Sequence, residues 1–388
     1  MRITKTLLAA SVGAALATGL PTAASAGGVK FEDGDKYLKI GGRIQLQYHQ
    51  TDADNADSED EVRFRRFRPY IEGSAHPDWK GKFQWDMGKA SGDNEISVKD
   101  AYMQYKGIDN MKLTLGNANF PFSREFLTSS KRQQLVERTF VGDHNYGTPD
   151  RNVGLHITGN SGDKKITYDL SAGSSSIDPD ADKLDFDSPI NKNDDFNEGW
   201  IVGGRVDFHP FGKLKMAQGD MSGDTKATIG VAAFNWSNDD DNNSYTDTSG
   251  VTTSAGKADM DSVTGMEISG AFRAAGFSVD AQYNIFDAET VDTGFSGGLY
   301  ENGETELTNY AVEGGYMVVP SRFEIVAGYQ GQDADNYETE WERTSVGANW
   351  FIKKHDIKAQ LTYRMGENID GQADVDEDEL FLQGQYVF

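Results

Sequence analysis

The feature that most constrains this chain is an alternation of apolar and polar residues that lasts about ten residues at a time and restarts many times. In residues 38–48 the even positions are apolar or Gly and the odd positions are polar or Gly, and residues 357–364 repeat the alternation. Successive side chains of a β-strand point to opposite faces, so each run is a strand with one apolar and one polar face. The pattern predicts an all-β, antiparallel fold of about sixteen strands.

The polar faces and the strand ends favour a transmembrane β-barrel over a soluble β-sandwich, which also alternates. Charged residues occupy the polar face of nearly every run, which suits a water-filled lumen. The last run ends in Phe388 with Tyr386 two positions earlier, and it resembles the assembly signal of outer-membrane barrels. Lipid offers no partner to an open sheet edge, so we expect the last strand to pair with the first. Aromatic residues concentrate near strand ends, as at membrane interfaces: Tyr37, Tyr48, Trp79, Tyr105 and Trp350.

The first residues read as an export signal. Arg2 and Lys5 precede an uncharged apolar run at 7–20, and Ala24-Ser25-Ala26 forms a small-residue cleavage site. A transmembrane anchor is the alternative, but the run is too short to cross the roughly 30 Å hydrocarbon core as a helix. We expect a signal peptide at 1–26 and a single barrel at 27–388, in the outer membrane of a Gram-negative bacterium.

Composition excludes several classes of function. The chain has no Cys, so disulfides, thiolate metal sites and Cys nucleophiles are absent. Its formal net charge of -25 argues against binding nucleic acid. The six His are scattered without metal-ligand spacing, and no Gly-x-Ser-x-Gly motif occurs. We therefore expect no enzyme activity, no cofactor and no metal.

Three segments depart from simple alternation. The stretch 62–72 needs a register slip between Phe64 and Phe67, which predicts a β-bulge. Residues 226–236 fit either register. Residues 119–150 are far longer than a hairpin turn, and within them 124–138 are good helix formers with Ser123 as a candidate N-cap. We interpret 119–150 as a structured constriction loop, the third outer loop, folded into the lumen.

Several short motifs, in order, carry a family resemblance. They are Arg66-x-Arg68 before Ile71-Glu72-Gly73, then Asp100-Ala101-Tyr102-Met103-Gln104-Tyr105, Pro121-Phe122, Glu137-Arg138 and Arg151-x-x-Gly154. Over about residues 37–160 the chain resembles the phosphate-selective porins O and P. The resemblance implies a sixteen-stranded homotrimer, a third loop folded into the pore, and a lumen that favours anions, phosphate in some members. Members often carry Lys two residues before the Pro-Phe pair, and Asn119 at that position argues against strict phosphate selectivity.

Local charge identifies candidate site residues. Between Glu61 and Arg138 there are fourteen Lys and Arg against ten Asp and Glu, although the whole chain is acidic. Charges at the narrowest point of a pore set its ion selectivity, and Arg binds phosphate or carboxylate through two oxygens. The candidates for pore constriction and anion binding are Arg43, Arg66, Arg68 and Lys82 on the wall, with Arg124, Lys131, Arg132 and Arg138 on the loop. Alternatively, several of them pair with Glu72, Asp86, Glu125 or Glu137 to hold the loop down.

Two classes of function therefore stand side by side. The first is a passive diffusion channel for small solutes, either anion-preferring or general to cation-preferring. The second is a non-conducting surface barrel, an adhesin or structural anchor. The expected partners are outer-membrane lipid and lipopolysaccharide, further copies in a homotrimer, and small anions in transit.

Overall fold

The computed structural model describes residues 28–54, 56–88, 96–190, 197–239, 245–246, 252–253 and 257–388. The predicted signal peptide, 1–26, lies outside these residues and stays a prediction. Two 3-10 turns, Ser130–Arg132 and Ile369–Gly371, and one short α-helix, α1 (Arg124–Leu127), accompany twenty strands. The strands are β1 (Val29–Asp33), β2 (Lys36–Ala53), β3 (Glu59–His76), β4 (Trp79–Asp86), β5 (Ser97–Ile108), β6 (Met111–Asn119), β7 (Arg151–Asn160), β8 (Ile166–Ile177), β9 (Phe186–Asp187), β10 (Asn197–Phe208), β11 (Lys226–Asn238), β12 (Tyr245–Thr246), β13 (Thr252–Thr253), β14 (Met260–Ala274), β15 (Phe277–Thr290), β16 (Glu304–Val319), β17 (Phe323–Asp333), β18 (Trp341–Lys353), β19 (Ile357–Glu367) and β20 (Glu377–Val387).

Sixteen of these strands close into one antiparallel barrel, which confirms the predicted fold class. They are β2–β8, β10, β11 and β14–β20. Each pairs with its neighbours in the chain, and β20 pairs with β2 from Arg43 opposite Val387 onward. The Gly42 amide donates to the Phe388 carbonyl at 2.9 Å and the Phe388 amide to the Gly42 carbonyl at 3.0 Å. Closure leaves no unpaired edge for lipid to face.

The outward face of the barrel is apolar. Large side chains stand exposed along it, for example Phe64, Trp200, Ile268 and Leu361. Such a face suits the hydrocarbon of a bilayer, where charged side chains are costly. No helix within the described ranges is long and apolar enough to cross a membrane.

The connections differ at the two ends of the barrel. At one end most gaps between barrel strands are long. The third of them, 120–150, corresponds to the predicted constriction loop 119–150, and we call it L3. At the other end most gaps are two to five residues long. The exception is 209–225, between β10 and β11, which we call T4. Transmembrane β-barrels of the outer membrane place short turns in the periplasm and long loops outside, so we expect T4 at the periplasmic end.

Two β-bulges each add one lumen-facing side chain. Gln45 pairs with Arg66 whereas Leu46 pairs with Phe64, so Arg65 is the extra residue of β3. This confirms the predicted slip between Phe64 and Phe67. A second bulge makes Lys99 the extra residue of β5, since its neighbours Val98 and Asp100 face consecutive residues of β4. Bulges commonly re-aim a side chain in this way.

Part of the barrel interior is packed like the core of a soluble protein. L3 begins there with Phe120 and Phe122, which are fully buried against Phe234 and Phe286 of the wall. The core explains why 226–236 fitted either register. Ile229 and Val231 face outward on this strand, while alternate residues, Phe234 among them, are buried inside.

The predicted helix over 124–138 is wrong beyond its first turn. Ser123 does cap α1, because its hydroxyl accepts from the Phe126 amide at 3.1 Å. After Leu127 the regular i to i−4 bonding stops, and several backbone amides of L3 bond to side chains instead, some of them on the barrel wall. The Phe140 amide, for example, donates to the Gln330 side chain at 2.7 Å. Tertiary hydrogen bonds have replaced those that helix propensity favoured.

Candidate functional site

The lumen contains a cavity of about 660 Å³ between L3 and the wall formed by β2–β8. Ten basic residues line it, against five acidic ones. The basic residues are Lys39, Arg43, Arg65, Arg66, Arg68, Lys82, Lys99, Lys131, Arg138 and Arg151. The acidic residues are Glu72, Asp100, Asp143, Asp150 and Asp169.

The β3 bulge fastens L3 to this wall through Glu137. Arg65 binds Glu137 with both arms of its guanidinium, Nε to Oε1 at 2.8 Å and Nη2 to Oε2 at 3.0 Å. Arg66 lies 3.7 Å from the same carboxylate, and Gln47 donates to it at 2.8 Å. Burial alone would raise the pKa of Glu137, but the two guanidiniums outweigh it and lower the pKa well below its usual range. Bidentate Arg–carboxylate pairs of this kind are geometrically specific anchors.

The β5 bulge fastens the other end of L3 through Asp150. Lys99 Nζ lies 3.5 Å from Asp150 Oδ2, and Arg151 Nη1 lies 2.7 Å from Oδ1. Arg151 also binds Asp100 at 3.1 Å, and Lys82 binds Asp100 at 2.5 Å. Lys82 is therefore held by an acid of the neighbouring strand.

Four other basic residues of the cavity face no carboxylate within salt-bridge distance in the described part of the chain: Lys39, Arg43, Lys131 and Arg138. Arg43 donates to the Ser129 hydroxyl at 3.0 Å, and its Nε has no hydrogen-bond partner. Arg138 donates to the Phe126 carbonyl at 3.0 Å and stacks over the Phe126 ring. Lys39 lies over the ring of Tyr70. The cavity thus contains four cations that make no salt bridge to a carboxylate of the described residues.

The electrostatics of L3 reflect this excess of positive charge. Burial, together with the nearby positive charges of Arg43 and Arg132, lowers the pKa of Lys131 to about 8. The pKa of Arg138 is also lowered, mainly by burial. An anion at this position would relieve the repulsion among these groups.

The structure places six of the eight predicted site residues around one cavity: Arg43, Arg66, Arg68, Lys82, Lys131 and Arg138. The remaining two, Arg124 and Arg132, do not line it. Arg124 is buried against the opposite wall, where Nε lies 3.4 Å from Asp280. Arg132 is exposed, and its carbonyl accepts a hydrogen bond from the amide of Gln218 in T4 at 3.0 Å. Their roles in binding anions stay predictions.

The alternative of pairing with acids describes some of the candidates. Arg68 binds Asp86 at 2.5 Å. Glu72 instead binds Lys80 at 3.1 Å. Glu125 binds within L3, where it accepts from the Thr139 amide at 3.1 Å. Only some of the eight candidates are thus paired with an acid, and the Arg68–Asp86 pair lies within the wall and does not hold L3.

Sequence reasoning missed four lining residues: Lys39, Arg65, Lys99 and Arg151. Lys39 lies on the polar face of the first run, so the alternation itself could have identified it. Arg65 and Lys99 are the extra residues of the bulges, where alternation fails to say which way a side chain points. Within the described ranges, no group of His, Asp or Glu is arranged to hold a metal ion.

Comparison with known proteins agrees with this architecture. Residues 38–388 match the family described as "Phosphate-selective porin O and P". The chain is 26% identical to Porin O of Pseudomonas aeruginosa over 413 aligned residues, which cover 93% of this chain and 91% of that protein.

Two solved structures show the same fold. The anion-selective porin from Comamonas acidovorans superposes with a TM-score of 0.60 at 11% identity, covering 91% of this chain and 100% of that one. OmpT of Vibrio cholerae, in its trimer form, superposes with a TM-score of 0.55 at 13% identity, covering 90% and 99%. Because the family match covers nearly the whole chain, this protein belongs to the phosphate-selective porin O and P family and is a β-barrel porin of the Gram-negative outer membrane.

Proposed function

We propose that the lumen passes small solutes passively and prefers anions, phosphate among them. One observation carries the proposal: ten basic residues line the lumen cavity against five acidic ones, in a chain whose formal net charge is -25. A narrow pore with low-dielectric walls focuses the field of its lining charges, so local rather than total charge sets its ion preference.

The proposed binding position lies between Arg43 on the wall and Lys131 on L3. The two side chains are close enough for the charge of Arg43 to depress the pKa of Lys131, and Arg43 bonds to Ser129, two residues before Lys131. Neither makes a salt bridge to a carboxylate in the described part of the chain. Asn119 lines the same cavity, and its buried Oδ1 has no partner. Because an amide stands where a further cation would strengthen the site, we propose weak, competing phosphate binding instead of strict selectivity.

The same proposal extends to assembly and surroundings. We propose a homotrimer embedded in outer-membrane lipid and lipopolysaccharide, supported by the family membership and by the trimer form of OmpT. Family relatives are channels, so we expect no catalytic activity. Gel electrophoresis of the unheated protein, before and after chemical cross-linking, tests the trimer.

Single-channel recording in a planar bilayer under a KCl gradient tests the preference. We expect a reversal potential on the chloride side and a fall in chloride current as phosphate is added. A reversal potential on the potassium side would support a general or cation-preferring porin instead. A folded barrel without conductance would favour the surface-anchor alternative.

Paired variants locate the site. Arg43→Gln combined with Lys131→Gln should move the reversal potential toward zero and weaken the block by phosphate. Lys164→Gln combined with Lys165→Gln is the matched control, because both lysines are exposed in the turn between β7 and β8 and neither lines the cavity. An equal shift in both variants would assign the preference to total charge and not to this site.

A further inference from the structure

T4 differs from every other turn at the periplasmic end of the barrel. The other turns leave two to five residues between strands, whereas T4 spans 209–225. Leu214, Gln218 and Asp220 of T4 are buried. T4 therefore packs against the interior of the barrel instead of extending from its rim.

Gln218 is the centre of the contacts that T4 makes. All four of its polar groups are used, and its side chain is buried. Its amide donates to the Arg132 carbonyl at 3.0 Å, and its Oε1 accepts from the Gln134 amide at 2.7 Å. Its Nε2 donates to Glu313 of β16, and its carbonyl accepts from His355 Nε2 at 3.1 Å. One residue thus joins L3, the barrel wall and a second periplasmic turn.

The neighbours of Gln218 hold T4 itself in place. Arg273 of β14 donates to the Ala217 carbonyl at 3.0 Å. The carboxylate of Asp220 accepts from the Gly276 amide at 2.8 Å, and Ser321 donates to the Met221 carbonyl at 3.0 Å. T4 is therefore fixed to three barrel positions outside L3, so it is a rigid support and not a loop that follows L3.

The L3 segment that T4 holds carries one side of the proposed binding position. Lys131 lies between Ser130 and Arg132, the residue whose carbonyl binds Gln218. Gln134 is buried, and its amide would be left without this partner if T4 were displaced. Buried polar groups without partners are costly, so L3 would have to rearrange.

We propose that T4 is a further inward-folded segment of the pore, at its periplasmic end, and that Gln218 is a positioning residue that holds the periplasmic edge of L3 and so sets the width of the lumen. The further inference that Gln218 also sets the anion preference rests on the proposed function. The inference that Gln218 sets the width of the lumen does not rest on it. Gln218 acts through L3, since it does not itself line the lumen cavity.

An exchange of donor and acceptor tests this role without removing side-chain volume. Gln218→Glu puts a carboxylate against Glu313 and loses the donor. Adding Glu313→Gln restores the pair, because the amide at 313 can then donate to the carboxylate at 218, which still accepts from the Gln134 amide. The double variant has the same total charge as the native chain. Thr225→Ala, an exposed change in the same segment, is the control.

Three readouts are compared in the trimeric or monomeric protein as purified: single-channel conductance, reversal potential, and amide hydrogen exchange of peptides that contain Gln134. We expect Gln218→Glu to raise conductance and its open-channel noise, and to speed exchange at Gln134 by about tenfold, as the loss of one or two net hydrogen bonds would. The double variant should return toward native values, and Thr225→Ala should match them. Heat-modifiable migration on gels confirms that each barrel is folded.

The outcomes separate the two proposals. Native conductance and exchange in Gln218→Glu would overturn the role of T4. Failure of the double variant to recover would also overturn it, because the restored hydrogen bonds are the stated cause. If conductance and exchange behave as expected but the native channel shows no chloride preference, the role of T4 in width stands and the proposed anion preference fails.

Discussion

The two halves of the barrel interior are built differently. Along β2–β8 the inner wall is charged and faces the open cavity. Along β10–β16 the outer-leaflet half of the inner wall is apolar and is covered by L3 and neighbouring loops, with Phe234 and Phe286 among the buried residues. In this barrel the inner wall is polar where it faces the water-filled cavity and apolar where folded loops cover it.

L3 is also attached differently to the two sides of the barrel. We call the wall along β2–β8 the open side and the wall along β10–β19, against which L3 packs, the filled side. On the filled side hydrogen bonds from wall side chains hold most of its backbone: the Val136 amide donates to Thr362 at 3.2 Å, Asn349 donates to the Gln134 carbonyl at 3.0 Å, and Arg205 donates to the Phe122 carbonyl at 2.7 Å. Arg124 adds an ion pair with Asp280 at 3.4 Å. On the open side ion pairs hold it, through Glu137 and Asp150. Salt screens ion pairs far more than neutral hydrogen bonds. L3 should therefore respond to ionic strength at its open-side anchors first.

The largest expected effect comes from removing a buried aromatic ring from the apolar core inside the barrel. Phe234→Ala removes a ring that contacts Phe122 edge-on at 5.0 Å and Phe186 at 5.6 Å. Loss of a buried aromatic ring typically costs about 3–5 kcal/mol. We expect a matching fall in the free energy of unfolding, measured by denaturant titration in detergent. Phe211→Ala, an exposed ring of T4, should cost little. Equal losses in both variants would mean that the interior core adds no stability of its own.

Breaking an open-side anchor should have the next largest effect. Arg65→Gln leaves the largely buried Glu137 with Gln47 at 2.8 Å and Arg66 at 3.7 Å as its partners. Loss of a charge-assisted hydrogen-bond pair of this kind costs about 2 kcal/mol. We expect lower stability and noisier single-channel currents, with a smaller difference from native at 1 M salt. Lys30→Gln, which breaks an exposed pair with Glu32, is the control and should change neither property. Unaltered currents in Arg65→Gln would show that the filled side holds L3 alone.

A smaller, pH-dependent effect is expected at Glu125, which is buried in L3 beside the filled wall. Burial raises its pKa from 4.5 to about 7, although the Thr139 hydrogen bonds and Arg138 oppose the rise. A raised acid pKa means that the folded state binds the proton more tightly. The cost of ionising Glu125 is therefore absent below pH 4.5 and complete above about pH 7.

Glu125→Gln removes that cost at the filled wall. We expect its melting temperature to gain on the native value as pH rises from 5 to 8, with the two closest together at pH 5. Glu338 lies in an exposed loop, so the melting temperature of Glu338→Gln should differ from the native value by the same amount at every pH from 5 to 8. A gain that does not depend on pH would show that Glu125 is not the titrating group.

The smallest expected effect is a pH-dependent change in selectivity on the open side. Because the pKa of Lys131 is lowered to about 8, its charge is lost between about pH 7 and pH 9. We expect the reversal potential to move toward zero over this range. The reversal potential of Lys131→Gln should not change with pH. The reversal potential of Lys131→Arg should stay on the chloride side across this range, since a guanidinium stays charged. The same pH profile in Lys131→Gln would assign the titration to another lumen group.

The sequence predicted the parts of this molecule that follow a local rule. Alternation predicted sixteen strands, and a broken alternation predicted the bulge at Arg65. Helix propensity failed over 128–138, because the wall offers partners to the backbone there that no local rule contains. T4 was missed for the same reason: its buried state depends on contacts of Gln218 with residues far away in the chain.

The candidate site shows the same division. Six of the eight predicted cations line the cavity, because they lie on polar strand faces or on the exposed side of L3. Arg124 does not, since the single turn of α1 directs it to Asp280 on the far wall. Which cations are neutralised could not be predicted either. Arg43 and Arg68 are opposite each other on paired strands, but only Arg68 meets an acid, Asp86.

The bulges bear on how such a pore can change over evolutionary time. If Arg65 were absent, Phe64 and Arg66 would be consecutive residues of a regular strand, on the opposite faces that they occupy now. Arg65 is therefore a surplus residue that changes neither the lipid surface nor the alternation on either side. The same holds for Lys99 between Val98 and Asp100. Inserting or deleting one codon at these places can therefore add or remove a single lumen cation while every membrane-facing residue stays as it was.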